Sequence, residues 1–146
     1  MKASESLRRL LPGVWLGVLV AIALIATPAA STSLDKASFG AVARAIFARE
    51  APTSLVLGVL ILVIERRDAL ARHLATGVTQ FSSEMLLAAG ALFCTVAGYY
   101  GLLPALERAR LGGLMQPGFL QLHALSLGFF GLKGLLVLAL AWKATR

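Results

Sequence analysis

Apolar residues run almost unbroken through four stretches of the chain, and charged residues gather between them. The stretches cover roughly residues 10–30, 38–64, 84–103 and 117–142. At about 1.5 Å of rise per residue, the first, third and fourth are each long enough to cross the roughly 30 Å hydrocarbon core of a bilayer. The second is less regular. Only twelve residues separate Pro52 from Glu65, about 18 Å of helix, which is too short to span alone. Upstream, Phe39, Val42, Ala43, Ile46 and Phe47 recur at the i, i+3, i+4 spacing of an amphipathic helix. One helix over 38–64, kinked near Pro52, joins the two parts and carries Arg49 and Glu50 into the membrane. The alternative is a flat surface helix before a short span, with Arg66 and Arg67 snorkelling to the interface. The continuous helix is the preferred reading. Residues 105–116 read as a short surface helix and turn.

The predicted fold class is therefore all-α, an integral membrane four-helix bundle in one domain, residues 1–146, with short connections. Composition strengthens this. The 146 residues are 58% hydrophobic and 14% charged, with a mean hydropathy of +0.82, whereas a soluble domain has about a quarter of its residues charged. A soluble fold this small cannot bury so much apolar surface, so the lipid bilayer is the expected solvent. The first thirty residues resemble a secretory signal, with Lys2, Arg8 and Arg9 ahead of an apolar run. That run exceeds the usual core of about 7–15 residues, and Pro28 disfavours a cut after Ala30, so a retained helix is expected.

The formal charge of +7 lies in short clusters beside the apolar runs, as membrane anchors do, and nucleic-acid binding is not read into it. Lys2, Arg8, Arg9, Arg66, Arg67, Arg72, Lys143 and Arg146 fall on one side of the membrane; Lys36, Arg44, Arg49, Arg108 and Arg110 fall on the other. Eight against five predicts both termini in the cytoplasm. Trp15 and Trp142 then sit near the cytoplasmic interface as belt tryptophans. Glycines at 13 and 17, the Gly90, Cys94, Gly98 series, and Gly128, Gly131 and Gly134 are expected to serve helix contact. Single Cys94 allows no intramolecular disulfide.

Ionisable side chains at membrane depth are costly and invite a functional hypothesis. Measured from Glu65, Glu84 and Trp142 as interface markers, Arg49, Glu50, Tyr99, Tyr100 and His123 all rise about 22–28 Å, toward the outer half. Lys133 lies deeper, about 14 Å above Trp142, too far to snorkel fully. Leaning toward its own N-terminus, it is expected to point at Ser126 and His123. Glu50, His123, Lys133, Arg49, Tyr99 and Ser126 thus form the candidate ligand or ion site, with His123 the one candidate metal ligand. The bland alternatives are an interfacial Arg49–Glu50 pair, an interhelical hydrogen bond from His123, and tyrosines anchored at the interface. Ser126 follows His123 by three residues, but nothing marks it as an activated nucleophile, and no catalytic residue or enzyme activity is assigned. There is no phosphate loop, zinc spacing or dinucleotide fingerprint. With two histidines in the chain, His73 on the opposite side from His123, haem would need His123 with Met115 or a second chain; copper could use Cys94, Met115 and His123.

Several short elements carry a family likeness: Pro12-Gly13-Val14-Trp15-Leu16-Gly17, Phe47-Ala48-Arg49-Glu50, Glu84-Met85-Leu86-Leu87, Phe93-Cys94-Thr95-Val96-Ala97-Gly98-Tyr99 and, most distinctive, His123-Ala124-Leu125-Ser126. In these the chain resembles bacterial members of the transmembrane protein 205-like family, catalogued as a domain of unknown function. It is more distantly similar to four-helix copper-resistance membrane proteins and to haem-binding membrane protoporphyrinogen oxidases. The resemblance implies four membrane helices, a polar site around His123, and a bacterial inner-membrane location. The animal members' association with metal-drug resistance hints at export or metal handling. Three functions follow as expectations: a small transport or export component, a haem or copper redox protein, and a non-catalytic assembly partner. A chain this small has little room for a complete pathway, so a homo-oligomer is expected.

Overall fold

The structure, a computed structural model, describes residues 2–112 and 118–146, with side chains from residue 4 onward. Helix α1 (Lys2–Ala21) passes through a π-helical turn, Ile22–Ala26, into α2 (Thr27–Ser33). Helix α3 (Lys36–Thr76) follows, then α4 (Ser83–Thr95), which runs through a second π segment, Val96–Gly101, into α5 (Leu103–Arg110). Helix α6 (Phe119–Ala144) completes the fold. Four helical stretches are long and apolar enough to cross a membrane: Ser4–Ser33, Lys36–Thr76, Ser83–Arg110 and Phe119–Ala144. Met115 and its neighbours 113–117 lie outside the described residues.

Helix α3 is uninterrupted through Pro52. Proline has no N–H to give the Ala48 carbonyl, a weak point in the ladder, and next to it the Thr53 hydroxyl donates to the Arg49 carbonyl at 2.8 Å. At its start, the Asp35 carboxylate accepts from the N–H groups of Ala37 and Ser38 at 3.0 and 3.1 Å. Those bonds, the Ser38 amide foremost, hold the Asp35 carboxyl below the usual carboxylate range. The helix runs twelve residues past Ile64 because no breaker intervenes before Gly77, whose φ of 72° ends it in the left-handed region that glycine tolerates. Charge at Glu65 marks the interface in the sequence, but it does not end the helix.

The buried positions of α3 are Glu50, Ala51, Ser54, Gly58, Ile61, Glu65 and Ala69, a stripe stepping by three or four residues toward the bundle axis. Each spanning helix packs against two neighbours, in the cycle α1, α3, α4, α6 and back to α1. Trp15, Leu19, Ile61, Ala88, Ala91, Val137 and Leu140 make the core. Small residues work selectively in this packing. Gly58, Gly90 and Gly98 abut side chains of neighbouring helices, whereas Gly13, Gly17, Gly128, Gly131 and Gly134 have nothing within 4 Å of where a Cβ would sit. The expectation of helix contact fails for those five within this chain, because the bundle meets them on other faces.

Candidate functional site

Glu50, next to Arg49 on α3, and Lys133, an isolated charge in the apolar run of α6, meet. Lys133 Nζ donates to Glu50 Oε1 at 2.6 Å, and the two side chains are 4% and 2% exposed. Their helices α3 and α6 lie on a diagonal of the bundle, so this contact crosses the centre. The Ser54 hydroxyl, one turn along α3, donates to the same carboxylate oxygen. Ser54 Oγ in turn accepts the indole N–H of fully buried Trp15, on α1, at 2.8 Å. Cys94, buried on α4, is within electrostatic reach of Lys133. Three of the four spanning helices, α1, α3 and α6, thus contribute hydrogen-bonded side chains to one centre.

Aromatic rings close one side of it. Lys133 Nζ sits 5.0 Å from the centroid of Phe130, a cation–π contact, and Phe47 meets Phe130 edge to face at 5.5 Å. Both phenylalanines lie one turn N-terminal of the charged residues on their helices, so the ring pair shields the couple from the Asp35 end of the membrane. An ammonium has three donors; Glu50 takes one and the Phe130 ring faces the cation. Among the described residues both named bonds to Glu50 end on Oε1, which leaves Oε2 as the carboxylate's uncommitted oxygen.

The other candidates are placed elsewhere. His123 is exposed and stacks on Phe119 at 5.8 Å. The helical screw explains this: ten residues separate it from Lys133, which puts the two about 80° apart, whereas the buried Leu122, eleven residues away, returns to nearly the same line. Arg49 precedes Glu50 by one residue and is turned about 100° away, exposed. Ser126 does face inward, but its hydroxyl donates to the Gly98 carbonyl in the π segment at 3.1 Å. Tyr99 packs against Tyr100 at 5.0 Å and lies within electrostatic reach of Glu50 with no hydrogen bond to it. Lys133 therefore points at Glu50, not at Ser126 and His123. Among the described residues no three His, Cys, Asp or Glu side chains gather as a metal-ligand set; exposed His123 and buried Cys94 face different surroundings.

Trp15 and Ser54 were not singled out by the sequence. Trp15 reads as an interfacial belt residue, yet it is buried among Leu19, Ile61 and the other core residues. Its signal is the spacing Arg8, Pro12, Trp15, Leu19, an inward stripe in which the tryptophan cannot face lipid.

A family model described as a domain of unknown function, DUF4149, matches residues 10–113. The chain belongs to this family. The part of this DUF4149 chain that matches includes Trp15, Glu50, Ser54 and Glu65 and stops short of α6, so Lys133 lies beyond it. No curated protein matches the chain, and no solved structure does.

Proposed function

We propose that this DUF4149 chain is a small membrane transport or export component whose working centre is the Glu50–Lys133 couple, and that the species exchanged there is a proton. The observation that carries the reading is the 2.6 Å ion pair at membrane depth between helices that lie across the bundle from one another. A buried ion pair adds little net stability, because desolvating two charges offsets their attraction. Intramembrane ionisable residues mark ion pathways and proton relays. Close packing beyond the couple favours the smallest cargo: about two turns past Glu50 on α3, a Cβ added at Gly58 would lie 2.6 Å from Leu92 and 2.9 Å from Trp15. A proton moving from Nζ to Oε1 leaves a neutral amine beside a neutral acid, a state that low dielectric favours over separated charges.

A bacterial inner-membrane location with cytoplasmic termini is part of the proposal, supported by the eight-to-five division of basic residues. So is a homo-oligomer, for which the exposed Gly13 and Gly17, four residues apart, offer a face of close helix approach. The likeness to the transmembrane protein 205-like family and, more faintly, to copper-resistance proteins is consistent with export.

Vesicles reconstituted with the full chain, loaded with a pH-sensitive dye and given a membrane potential, test the reading. The wild type should acidify the lumen, and Glu50→Gln should fall to the rate of empty vesicles. Equal rates in the two proteins would end the proposal. A second readout uses Trp142→Phe, which leaves Trp15 as the only tryptophan of the two in the chain. Its emission should shift with pH through Ser54, and the shift should vanish when Glu50→Gln is added.

A further inference from the structure

A second carboxylate is buried in the bundle at the end away from Phe47 and Phe130, and the couple does not use it. Glu65 is 3% exposed, and its Oε2 is buried with no hydrogen-bond partner among the described residues. Its other oxygen, Oε1, accepts from Arg8 Nε on α1 at 2.7 Å. The same guanidinium reaches a second acid, with Nη1 3.3 Å from Asp68 Oδ2. Arg72, also on α3, lies 3.4 Å from that Asp68 oxygen. From α4, Glu84 acts on Arg8 electrostatically, and Lys143 of α6 lies 3.4 Å from Glu84.

An orphan oxygen on a buried carboxylate calls for an occupant, and neutralisation is the least costly answer where no donor is at hand. We propose that Glu65 is a second proton-binding site, at the α1 N-terminal end of the bundle, and that protonation there hands Arg8 to Asp68. The proton comes from water at that end and bonds to Oε2; Arg8 keeps its own proton and its charge. This deepens the proton-exchange reading of the couple by naming a second station, and rests on it for its role in transport, although Glu65 can take up a proton whatever Glu50 does.

Two features allow the cation to change partners here and not at Glu50. Arg8 already has Asp68 in contact and Glu84 nearby, so protonating Glu65 strands no cation. Lys133, by contrast, has Glu50 as its one carboxylate partner among the described residues. Pro12 is the second feature. It stands inside α1, four residues after Arg8, and its missing N–H leaves the Arg8 carbonyl without an intrahelical donor. The turns ahead of Pro12 are therefore tied to the rest of α1 by a weakened ladder, and the half-buried Arg8 links them to α3 through Glu65 and Asp68. Shifting Arg8 from Glu65 to Asp68, about one turn along the same helix, would uncover Glu65 while Asp68 and the Trp15–Ser54 bond keep α1 on α3.

Infrared difference spectra of the full chain in lipid nanodiscs, recorded between neutral and acidic pH, test this. Wild type should gain a protonated-carboxyl band, of which one component is lost in Glu65→Gln and retained in Glu50→Gln. Arg8→Met keeps the carboxyl and removes its counter-ion, so the midpoint of the Glu65 component should rise by at least about one pH unit. Spectra of Glu65→Gln that superimpose on wild type, or a midpoint unmoved by Arg8→Met, overturn the proposal. Arg8→Met decides alone if Glu65→Gln fails to insert. If the sole component lost in either variant is one missing from Glu50→Gln, the couple stands and this site falls; if the sole component lost is the one missing from Glu65→Gln, this site stands and the couple falls.

Discussion

Lys133→Met should destabilise the bundle by about 3–5 kcal/mol, the range for removing one partner of a buried ion pair, and should abolish proton movement. The loss arises from what is left behind. Glu50 is 4% exposed, so without the ammonium its charge has the Ser54 hydroxyl as its remaining donor. Adding Glu50→Gln to Lys133→Met removes the stranded charge, and the amide oxygen can still accept from Ser54. The double variant should therefore recover most of the lost stability, since a buried pair replaced as a pair is often neutral. Proton movement should not recover with it. Reversible unfolding in mixed micelles measures the first quantity and dye-loaded vesicles the second. A single variant as stable as wild type would mean that the pair is not formed; a double variant that still moves protons would show that the couple is not the carrier.

That separation of stability from activity also explains which parts of the site could be read from residue order. Lys133 stands out because it is a lone charge in a long apolar run, which has few structural excuses, whereas Glu50 has Arg49 beside it and stands out by its depth. Their pairing was hidden by depth. Glu50 lies about 22 Å of rise from Glu65, while Lys133 lies about 14 Å from Trp142; the lean of the lysine stem toward its own N-terminus points along α6 to Ser126 and His123, but the partner it meets is Glu50 across the bundle. His123 was grouped with Lys133 although ten residues do not return a helix to the same face. Trp15 and Glu65 were hidden by a different rule. Tryptophans and acids near span ends are commonly interfacial, but here an inward stripe on α1, Arg8, Pro12, Trp15 and Leu19, carries Trp15 to Ser54 and brings Arg8 to Glu65 on α3. The four spans themselves were legible because hydrophobic length is set by lipid rather than by partners. The end of α3 was not, since charge signals an interface while only Gly77 stops the helix.

Packing around the couple yields the second large effect, and it falls on two glycines differently. Gly98→Ala should destabilise by at least about 1–3 kcal/mol, the usual cost of overpacking, and Phe129→Ala should not rescue it. The added Cβ would lie 2.5 Å from the Cβ of Phe129. That atom is fixed by the α6 backbone and survives truncation to alanine, so the π segment and α6 must move apart. Their separation would also stretch the 3.1 Å bond from Ser126 to the Gly98 carbonyl. Gly58→Ala meets softer neighbours, Leu92 Cδ2 at 2.6 Å and Trp15 Cη2 at 2.9 Å. Leu92 can change rotamer, but Trp15 is held by its 2.8 Å bond to Ser54, so a smaller loss is expected, and Leu92→Ala should recover part of it. Melting temperatures of the two single and two double variants in one detergent give the comparison. If Gly98→Ala melts with wild type, α4 and α6 do not approach as closely as the Ser126 bond requires. If instead Phe129→Ala restores it, the ring and not the backbone sets the spacing, and α6 is freer to carry Lys133 relative to Glu50 than a rigid four-helix contact would allow.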